Sequence, residues 1–524
     1  MTSPEVDREL STDMNSVRSV IDHYASEQAA AVFLVIPEND QQLHYGELKT
    51  MAESVEARLH GMGLGKGEKV AFLMNNGLWS CALFLGCMYA GRVILPLNAV
   101  SGADNLEYVI EHSDAKIVFV EAEYAEKYAG LLARVADKIQ IIPTSREHGP
   151  DWPAAGSQSL VADKISAQDD ALLIYTSGTT GKPKGVVLSH RAVVAGGNNT
   201  AIAHQLKPED RALCVLQLYH INGQMVTVMA PLVSGGSVVM PTRFSVKEFW
   251  GLIDRWQCSW FSVVPTIVAY LLEQAQRLGE AACVSQDRAY LRFGRCASAP
   301  LSPDMHRQFE AQFAVPLVET MGLTETAAQI LSNPMPPAKP KYGSPGIAVG
   351  NEATIFDKQG KEAARGEPGE LMIRGDNVMK EYYKNPQVTA ATLRSDGWLH
   401  TGDLAYQDED GYFFITGRLK EIIIKGGENI APREIDETLY QHDAVLEAAA
   451  FPIADHAYGQ DIMACVALKP GRQCSAEELR EFCIAKLGLF KSPREISFMD
   501  ELPKGPSGKI QRRKLSEAAE KAGG

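Results

Sequence analysis

The stretch Thr176-Ser-Gly-Thr-Thr-Gly-Lys-Pro-Lys-Gly185 lies between two apolar runs, residues 171–175 and 186–188. Both runs have the length and composition of buried strands, so the predicted order is strand, loop, strand. Glycine and small hydroxyl residues let the backbone curl around an anion and offer its N–H groups, and two lysines add positive charge. We interpret the stretch as a phosphate-binding loop, with a flexible Gly/Ser/Thr hairpin as the alternative.

This loop does not have the pattern of a Walker A loop. Position 176 is threonine rather than glycine, and Pro183 occupies the place of the final serine or threonine. A strand follows the loop, whereas Walker loops are followed by a helix whose N-terminus binds phosphate. We therefore do not assign the chain to the Walker-type nucleotide-binding proteins.

Outward from the loop, strand-like runs alternate with amphipathic helical stretches, which predicts an α/β fold. Residues 69–74, 92–97 and 115–120 are predicted strands, and residues 105–113 a helix. After a proline-rich loop at 333–340, short strands at 351–356, 369–374 and 411–416 predict a β-rich subdomain. A last α+β unit reads strand, helix, strand, helix, strand over residues 421–424, 432–441, 445–451, 476–486 and 495–498. We expect a large N-terminal domain, residues 1–417, of layered α/β subdomains plus the β-rich subdomain, and a small C-terminal α+β domain, residues 418–524, whose mobility is implied only by the family resemblance given below.

The bulk properties are those of a multidomain globular protein. A chain of 524 residues exceeds the size at which one hydrophobic core stops growing. Its formal net charge of -14 disfavours nucleic acid and anionic membranes as partners. The nine cysteines show no metal-type spacing and indicate free thiols in a reducing compartment. Residues 1–16 lack an export-signal pattern, and the longest strongly apolar run, residues 79–90, is too short to span a bilayer. We expect a cytoplasmic protein, either monomer or homodimer.

The phosphate loop resembles that of the adenylate-forming superfamily, which includes the acyl- and aryl-CoA synthetases, the adenylation domains of peptide synthetases and firefly luciferase. Other segments resemble that family's further motifs in the same order, at residues 319–325, 401–403, 417–430 and 506–509. The resemblance runs from residues 43–48 to Lys509. This ordered set is far more specific than any single member.

The resemblance implies where ATP and its phosphates are held. The implied ATP- and AMP-binding residues are Thr176, Ser177, Gly178, Thr179, Thr180, Gly181, Lys184, Ala297, Ser298, Ala299, Thr320, Met321, Gly322, Thr324, Asp403, Arg418 and Lys509. The implied catalytic residues are Lys509, Thr180, Lys184, Glu325 and His220, with Thr180 and Glu325 as magnesium ligands. Met321 departs from the family, where an aromatic residue commonly precedes the glycine. Taken singly, Thr324-Glu325 is also a common helix start, Gly402-Asp403 a common turn and Lys509 a typical surface charge.

The same resemblance implies the parts that serve coenzyme A and the acid. Lys420 is the implied hinge, and Gly426 and Gly427 lie on the implied path of the pantetheine arm. His220, Asn222, Gly223 and Gln224 are implied to line the acyl pocket, and a hydrogen-bonded structural histidine is the alternative for His220. Because Asn222 and Gln224 are polar where an apolar pocket would suit fatty acids, we expect a short, polar acid.

The resulting prediction is an AMP-forming acyl-CoA synthetase that uses ATP, Mg²⁺ and coenzyme A to activate a small carboxylic acid. A carboxylate is a poor electrophile, and joining it to AMP brings two anions together, so charge neutralisation is the main catalytic task. Three alternatives remain at this stage: a ligase that loads a separate carrier protein, a non-catalytic nucleotide-binding protein on the same fold, and an oxygenase of the luciferase kind.

Overall fold

A computed structural model describes residues 14–154, 163–176, 182–278, 288–505 and 510–523. Its strands form two large mixed sheets, one antiparallel sheet and one smaller C-terminal sheet. The strands are β1 Val32–Ile36, β2 Gln41–His44, β3 Lys69–Leu73, β4 Val93–Pro96, β5 Ile117–Glu121, β6 Gln140–Ser145, β7 Gly149–Pro150, β8 Asp170–Thr176, β9 Lys184–Ser189, β10 Arg211–Cys214, β11 Ser237–Val239, β12 Trp260–Val263, β13 Phe293–Cys296, β14 Leu317–Leu323, β15 Ala328–Ser332, β16 Ile347–Ala348, β17 Glu352–Phe356, β18 Gly369–Arg374, β19 Glu381–Tyr382, β20 Leu399–Gln407, β21 Phe413–Arg418, β22 Ile423–Lys425, β23 Glu428–Ile430, β24 Val445–Asp455, β25 Gly459–Leu468 and β26 Glu495–Phe498.

The helices connect and cover these sheets. They are α1 Val17–Glu27, α2 Tyr45–Gly61, α3 Leu78–Tyr89, α4 Ala103–Ser113, α5 Ala122–Lys127, α6 Ala129–Val135, α7 His190–Ala203, α8 Ala230–Ser234, α9 Phe249–Trp256, α10 Pro265–Leu278, α11 Pro303–Phe313, α12 Pro386–Thr392, α13 Pro432–Tyr440, α14 Ala476–Lys491 and α15 Arg512–Gly523. Gly488, with φ of 77°, interrupts α14. A π-helix spans Asn222–Met229, and 3-10 turns span Thr324–Thr326 and Leu419–Glu421.

The two large sheets and their helices form five layers. One sheet has the strand order β19-β9-β8-β4-β3-β5-β6-β7, and the other β16-β15-β14-β13-β12-β10-β11-β1-β2. Alternate residues of a strand point to opposite faces, so β3 sends Val70 and Phe72 into the core between the sheets and Ala71 and Leu73 toward α4 and α6. On the far side of the second sheet, α9, α10 and α11 cover an aromatic-rich core. Both faces of the central strands are thus covered by other elements, as expected for continuous apolar runs in the sequence.

The antiparallel sheet and the C-terminal sheet confirm most of the predicted strands. The order β17-β18-β20-β21 forms the β-rich subdomain, and β26 has the bounds predicted from the sequence. The predicted strand at residues 421–424 is displaced, because the 3-10 turn Leu419–Glu421 precedes β22. The prediction also missed β25, which pairs with β22, β24 and β26 and is the centre of the C-terminal sheet.

The π-helix begins where two chain segments approach closely. A Cβ atom added to Gly223 would lie 2.7 Å from the Gln217 carbonyl oxygen, so only glycine fits there. The Thr227 hydroxyl donates to the Gly223 carbonyl at 2.8 Å, inside the same wide turn. π-helical turns are rare and frequently occur at functional sites, so the side chains of this segment are candidates for a functional site.

The described residues include no helix that is long and apolar enough to cross a membrane. The cysteines within the described ranges are free thiols, and nearly all are buried. Burial raises their pKa values, to about 12 for Cys258, for example, so these thiols stay protonated and unreactive.

Candidate active site

The hairpin formed by β8 and β9 closes the base of the phosphate loop. The two strands are antiparallel, and Thr176 pairs with Lys184. The intervening residues Ser177, Gly178, Thr179, Thr180 and Gly181 lie outside the described residues. Burial lowers the pKa of Lys184, as does the nearby charge of Lys420, while Glu325 opposes both effects. Lys184 therefore lies at the C-terminal end of the predicted phosphate loop. It is near the Glu325 carboxylate and near Lys420, the predicted hinge.

Tyr382 joins Lys184 to Glu325. Its hydroxyl donates to Glu325 Oε1 at 2.8 Å, and the ammonium of Lys184 lies 5.1 Å from the centre of its ring. Tyr382 reaches this place because β19 pairs with β9, with Tyr382 opposite Val186. Burial, followed by the charge of Glu325, raises the pKa of Tyr382, so its proton is retained. The hydrogen bond fixes one oxygen of the carboxylate, and the other accepts no hydrogen bond from any residue that the structure describes.

Asp403 and Arg418 face each other across β20 and β21. They occupy paired positions, and Arg418 Nε donates to Asp403 Oδ1 at 2.8 Å. Asp403 raises the pKa of Arg418, and Glu325 acts in the same direction. Residues from four separate parts of the sequence therefore meet in one group, which we call the charge cluster: Lys184, Glu325, Tyr382, Asp403 and Arg418.

The end of β14 supplies the backbone beside the charge cluster. Thr320 is buried, and its hydroxyl has no hydrogen-bond partner among the described residues. A Cβ atom on Gly322 would lie 2.1 Å from the Ala328 carbonyl oxygen, so β15 requires glycine at this position. Met321 packs against the apolar core of the β-rich subdomain, and Thr324 begins the 3-10 turn that carries Glu325.

The predicted adenine segment follows directly after β13. Ala297 is buried and donates its N–H to the Val263 carbonyl at 3.2 Å. Ser298 has φ of 74°, an unusual value for a residue with a side chain, and Ala299 is partly exposed. Asn222 Nδ2 donates to Ser298 Oγ at 3.2 Å, which connects this segment to the start of the π-helix.

A buried polar group, which we call the Arg295 network, lies next to that segment. Nη1 of Arg295 donates to Asn222 Oδ1 and to Ser262 Oγ, each at 3.0 Å. Its Nε donates to Gln329 Oε1 at 3.1 Å. Burial lowers the pKa of Arg295 to about 9. The side chain is held in one orientation by three neutral oxygen acceptors.

The other predicted acyl-pocket residues, Gln224, Gly223 and His220, have different surroundings in the structure. Gln224 is fully buried, and its Nε2 donates to the Leu218 carbonyl at 2.5 Å, so it supports the loop before the π-helix. Gly223 is needed for backbone approach, as described above. His220 is partly exposed, and its ring lies 4.7 Å from that of Tyr219. Asn222 makes hydrogen bonds to both Arg295 and the adenine segment.

The two adjacent glycines of the C-terminal part, Gly426 and Gly427, form a tight turn between two strands. Gly426 and Gly427 connect β22 to β23 with φ values of 57° and 86°, the pattern of a tight hairpin turn that favours glycine. Lys420 is exposed within the 3-10 turn. Lys509 lies outside the described residues, and Lys504 and Ile510, one on each side of it in the sequence, form a β-bridge.

Sequence reasoning missed Tyr382 and Ser262. Tyr382 lies on a two-residue strand and Ser262 within an apolar strand, so neither has a local motif. Both contribute through contacts with residues far away in the chain. The pairing of β19 with β9 is the signal that would have found Tyr382, and it is visible only in three dimensions.

The charge cluster fits a divalent cation that is shared with a nucleotide. Among the described residues, no three His, Cys, Asp or Glu side chains form a protein-only metal site. Mg²⁺ commonly binds through one or two carboxylates together with substrate phosphates. Glu325, held by Tyr382 beside Lys184, offers one such carboxylate.

Comparisons with known proteins identify the family to which the chain belongs. The family profile described as AMP-binding enzyme matches residues 21–383, and that of the AMP-binding enzyme C-terminal domain matches residues 434–509. The chain is 43% identical to a sulfoacetate–CoA ligase of Cupriavidus necator over 98% of both chains. It is 34% identical to an oxalate–CoA ligase of Arabidopsis thaliana, covering 90% of this chain and 92% of that one.

Among solved structures, ATP-bound MatB from Rhodopseudomonas palustris aligns with a TM-score of 0.86 at 28% identity. The alignment covers 96% of this chain and 99% of MatB. Both family profiles, the curated relatives and the fold thus agree over nearly the full length. This chain belongs to the AMP-binding enzymes and is an AMP-forming ligase that joins a carboxylic acid to coenzyme A.

Proposed function

We propose that this chain converts a small, polar carboxylic acid to its CoA thioester in two steps at the charge cluster. In the first step, a carboxylate oxygen attacks the α-phosphorus of ATP and pyrophosphate leaves. In the second, the sulfur of coenzyme A attacks the acyl carbon, AMP leaves and the thiol proton passes to solvent. The convergence of Lys184, Glu325, Asp403 and Arg418 from separate parts of the chain supports this proposal.

The charges of the cluster suit the first step. Lys184 and the N–H groups of the loop at 177–181 would hold the phosphates, and Glu325 with Thr180 would hold Mg²⁺. The bound Mg²⁺ would neutralise charge that develops on the phosphates. Asp403, oriented by Arg418, would accept the ribose hydroxyls, and Ala297 to Ala299 would pack against adenine. Lys509 would reach the carboxylate and the bridging oxygen.

The C-terminal part is proposed to serve both steps by rotating about Lys420. The proposed domains are residues 1–417 and 418–524. An exposed 3-10 turn at Leu419–Glu421 is suited to absorb a backbone rotation. After rotation, the turn at Gly426 and Gly427 would pass close to the pantetheine arm, because glycines leave room beside the backbone.

We propose sulfoacetate as the first candidate acid. The relative that acts on sulfoacetate is similar over nearly the whole chain, and oxalate, on which the other relative acts, is also a small, highly polar acid. Asn222, Arg295 and Gln329 make this region polar, which is unfavourable for fatty acids.

A direct assay tests the proposal. The purified protein is incubated with ATP, Mg²⁺, coenzyme A and a panel of small acids, and AMP, pyrophosphate and acyl-CoA are measured. We expect stoichiometric AMP and thioester with at least one acid, and a large loss in Glu325→Gln but not in Glu367→Gln, an exposed control. Lys509→Ala should abolish pyrophosphate release while leaving ATP binding intact. Absence of AMP with every acid would refute the proposal.

A further inference from the structure

Arg295 is an uncompensated buried cation. Its relative exposure is 1%, and its three hydrogen bonds all go to neutral oxygens, those of Asn222, Ser262 and Gln329. No carboxylate in the described part of the chain forms an ion pair with it. A buried charge that lacks a counter-ion is strongly destabilising, so such a group calls for an anion from elsewhere.

Two other arginines of this protein that are buried or partly buried have carboxylate partners. Arg92, with the same exposure of 1%, binds Asp163 at 2.8 Å. Arg512 forms an ion pair with Asp436. Arg295 therefore differs from these arginines, because it lacks the carboxylate partner that each of them has.

The position of Arg295 connects it to the reaction site. It lies near the carboxyl end of β13, two residues before Ala297, the first residue of the proposed adenine segment. Asn222 accepts from Arg295 and donates to Ser298, which leaves one side chain between the guanidinium and the proposed adenine segment. An acid whose carboxylate is being joined to AMP would extend its other end into this region.

The hydrogen bonds of Arg295 leave part of its guanidinium for a ligand. Nε and Nη1 donate to the protein, whereas Nη2 makes no hydrogen bond to any residue that the structure describes. A planar guanidinium held by neutral groups keeps its full charge and a fixed orientation, which suits recognition of an oxyanion.

We propose that Arg295 binds a second anionic group of the substrate, so that the enzyme selects short acids carrying two negative charges. This inference rests on the proposed function and adds the residue that sets substrate selectivity. Because the charge of the substrate replaces the missing counter-ion, an acid with a neutral far end leaves Arg295 uncompensated and is disfavoured.

The experiment compares acids that differ only in the second charge. Sulfoacetate is paired with methylsulfonylacetate, and malonate with its monomethyl ester. The ratio of kcat/KM within each pair is measured for wild type, Arg295→Gln, Arg295→Lys and the control Arg292→Gln, which removes a neighbouring guanidinium that is paired with Asp210. The two pairs distinguish a sulfonate from a carboxylate as the preferred second anion.

We expect wild type and Arg292→Gln to prefer the dianion by about 100-fold in at least one pair. In Arg295→Gln, kcat/KM for the dianion should fall by about 100-fold, while that for the neutral partner stays within about threefold. If thermal denaturation shows that Arg295→Gln is unfolded, Arg295→Lys decides. Lysine keeps the positive charge but lacks the planar, paired donors of a guanidinium. The preference of Arg295→Lys for the dianion should therefore be about tenfold smaller than that of wild type.

Several results would overturn the inference. They are equal losses for both members of a pair in Arg295→Gln, no loss at all, an unchanged preference in Arg295→Lys, or a wild type that does not distinguish the pairs. If wild type forms no AMP with any acid, the proposed function itself fails. That outcome differs from the others, which all require an active wild-type enzyme.

Discussion

Replacing Tyr382 by phenylalanine should slow adenylation without disturbing the fold. The substitution keeps the ring that faces Lys184 and removes only the hydroxyl that donates to Glu325 at 2.8 Å. A hydrogen bond to a charged group contributes about 1.5–3 kcal/mol. Because Glu325 is only partly buried, water would replace some of this contribution, and we take about 1–2 kcal/mol. At about 1.4 kcal/mol per tenfold change in rate, the expected loss in kcat is about 5- to 30-fold.

The assay is pyrophosphate release at saturating acid, repeated over a range of Mg²⁺ concentrations. The concentration of Mg²⁺ that gives half-maximal rate should rise in Tyr382→Phe, because the carboxylate is less firmly oriented. Tyr383→Phe is a matched control, since the Tyr383 hydroxyl also donates to a carboxylate, Asp114, at 2.6 Å but outside the charge cluster. Wild-type rates and Mg²⁺ dependence in Tyr382→Phe, or equal losses in both variants, would refute the role assigned to Tyr382.

Three further predictions concern residues around the site. Burial raises the pKa of Glu319 from 4.5 to about 7, so the folded protein keeps a proton that the unfolded chain loses in that range, and stability falls as pH rises from 4.5 to 7. Glu319→Gln should therefore raise Tm at pH 8 and change it little at pH 4.5, and equal shifts at both values would contradict this. Asp436→Asn leaves the partly buried Arg512 with the Glu421 carboxylate at 3.3 Å, and should lower the free energy of unfolding by about 2 kcal/mol in denaturant titrations. Gly322→Ala places a Cβ 2.1 Å from the Ala328 carbonyl oxygen and should cost more than about 2 kcal/mol of stability and most pyrophosphate release. Gly251→Ala, where no atom lies within 4 Å, should keep wild-type Tm and activity.

The sequence predicts those features of the fold that are encoded locally. The strands at β3, β8 and β18 and the helix α13 lie close to their predicted positions, because apolar periodicity and turn residues mark them. Strand β25 was missed because its central residues, Met463-Ala-Cys-Val-Ala467, have modest strand propensity and one of its first residues is the charged Asp461. Pairing with β22, β24 and β26 is what makes this segment a strand.

In the candidate site too, residues within local motifs were predicted and residues that act through distant contacts were not. Lys184, Glu325, Asp403 and Arg418 were identified because each lies in a short motif, and their charges lie close together in the structure. The roles of Tyr382 and Ser262 depend on contacts across tens or hundreds of residues, which one sequence does not encode in a readable form. The orientation of Arg295 depends likewise on Ser262, Asn222 and Gln329, which come from three separate elements.

The π-helix Asn222–Met229 has a consequence for engineering the acid preference of this enzyme. A π turn holds about one residue more than an α turn, so deleting a single residue after Gln224 would let the segment relax to ordinary helical spacing. Residues downstream would then rotate by about 100° relative to Asn222. Libraries aimed at new acids should therefore vary the length of this segment as well as its composition.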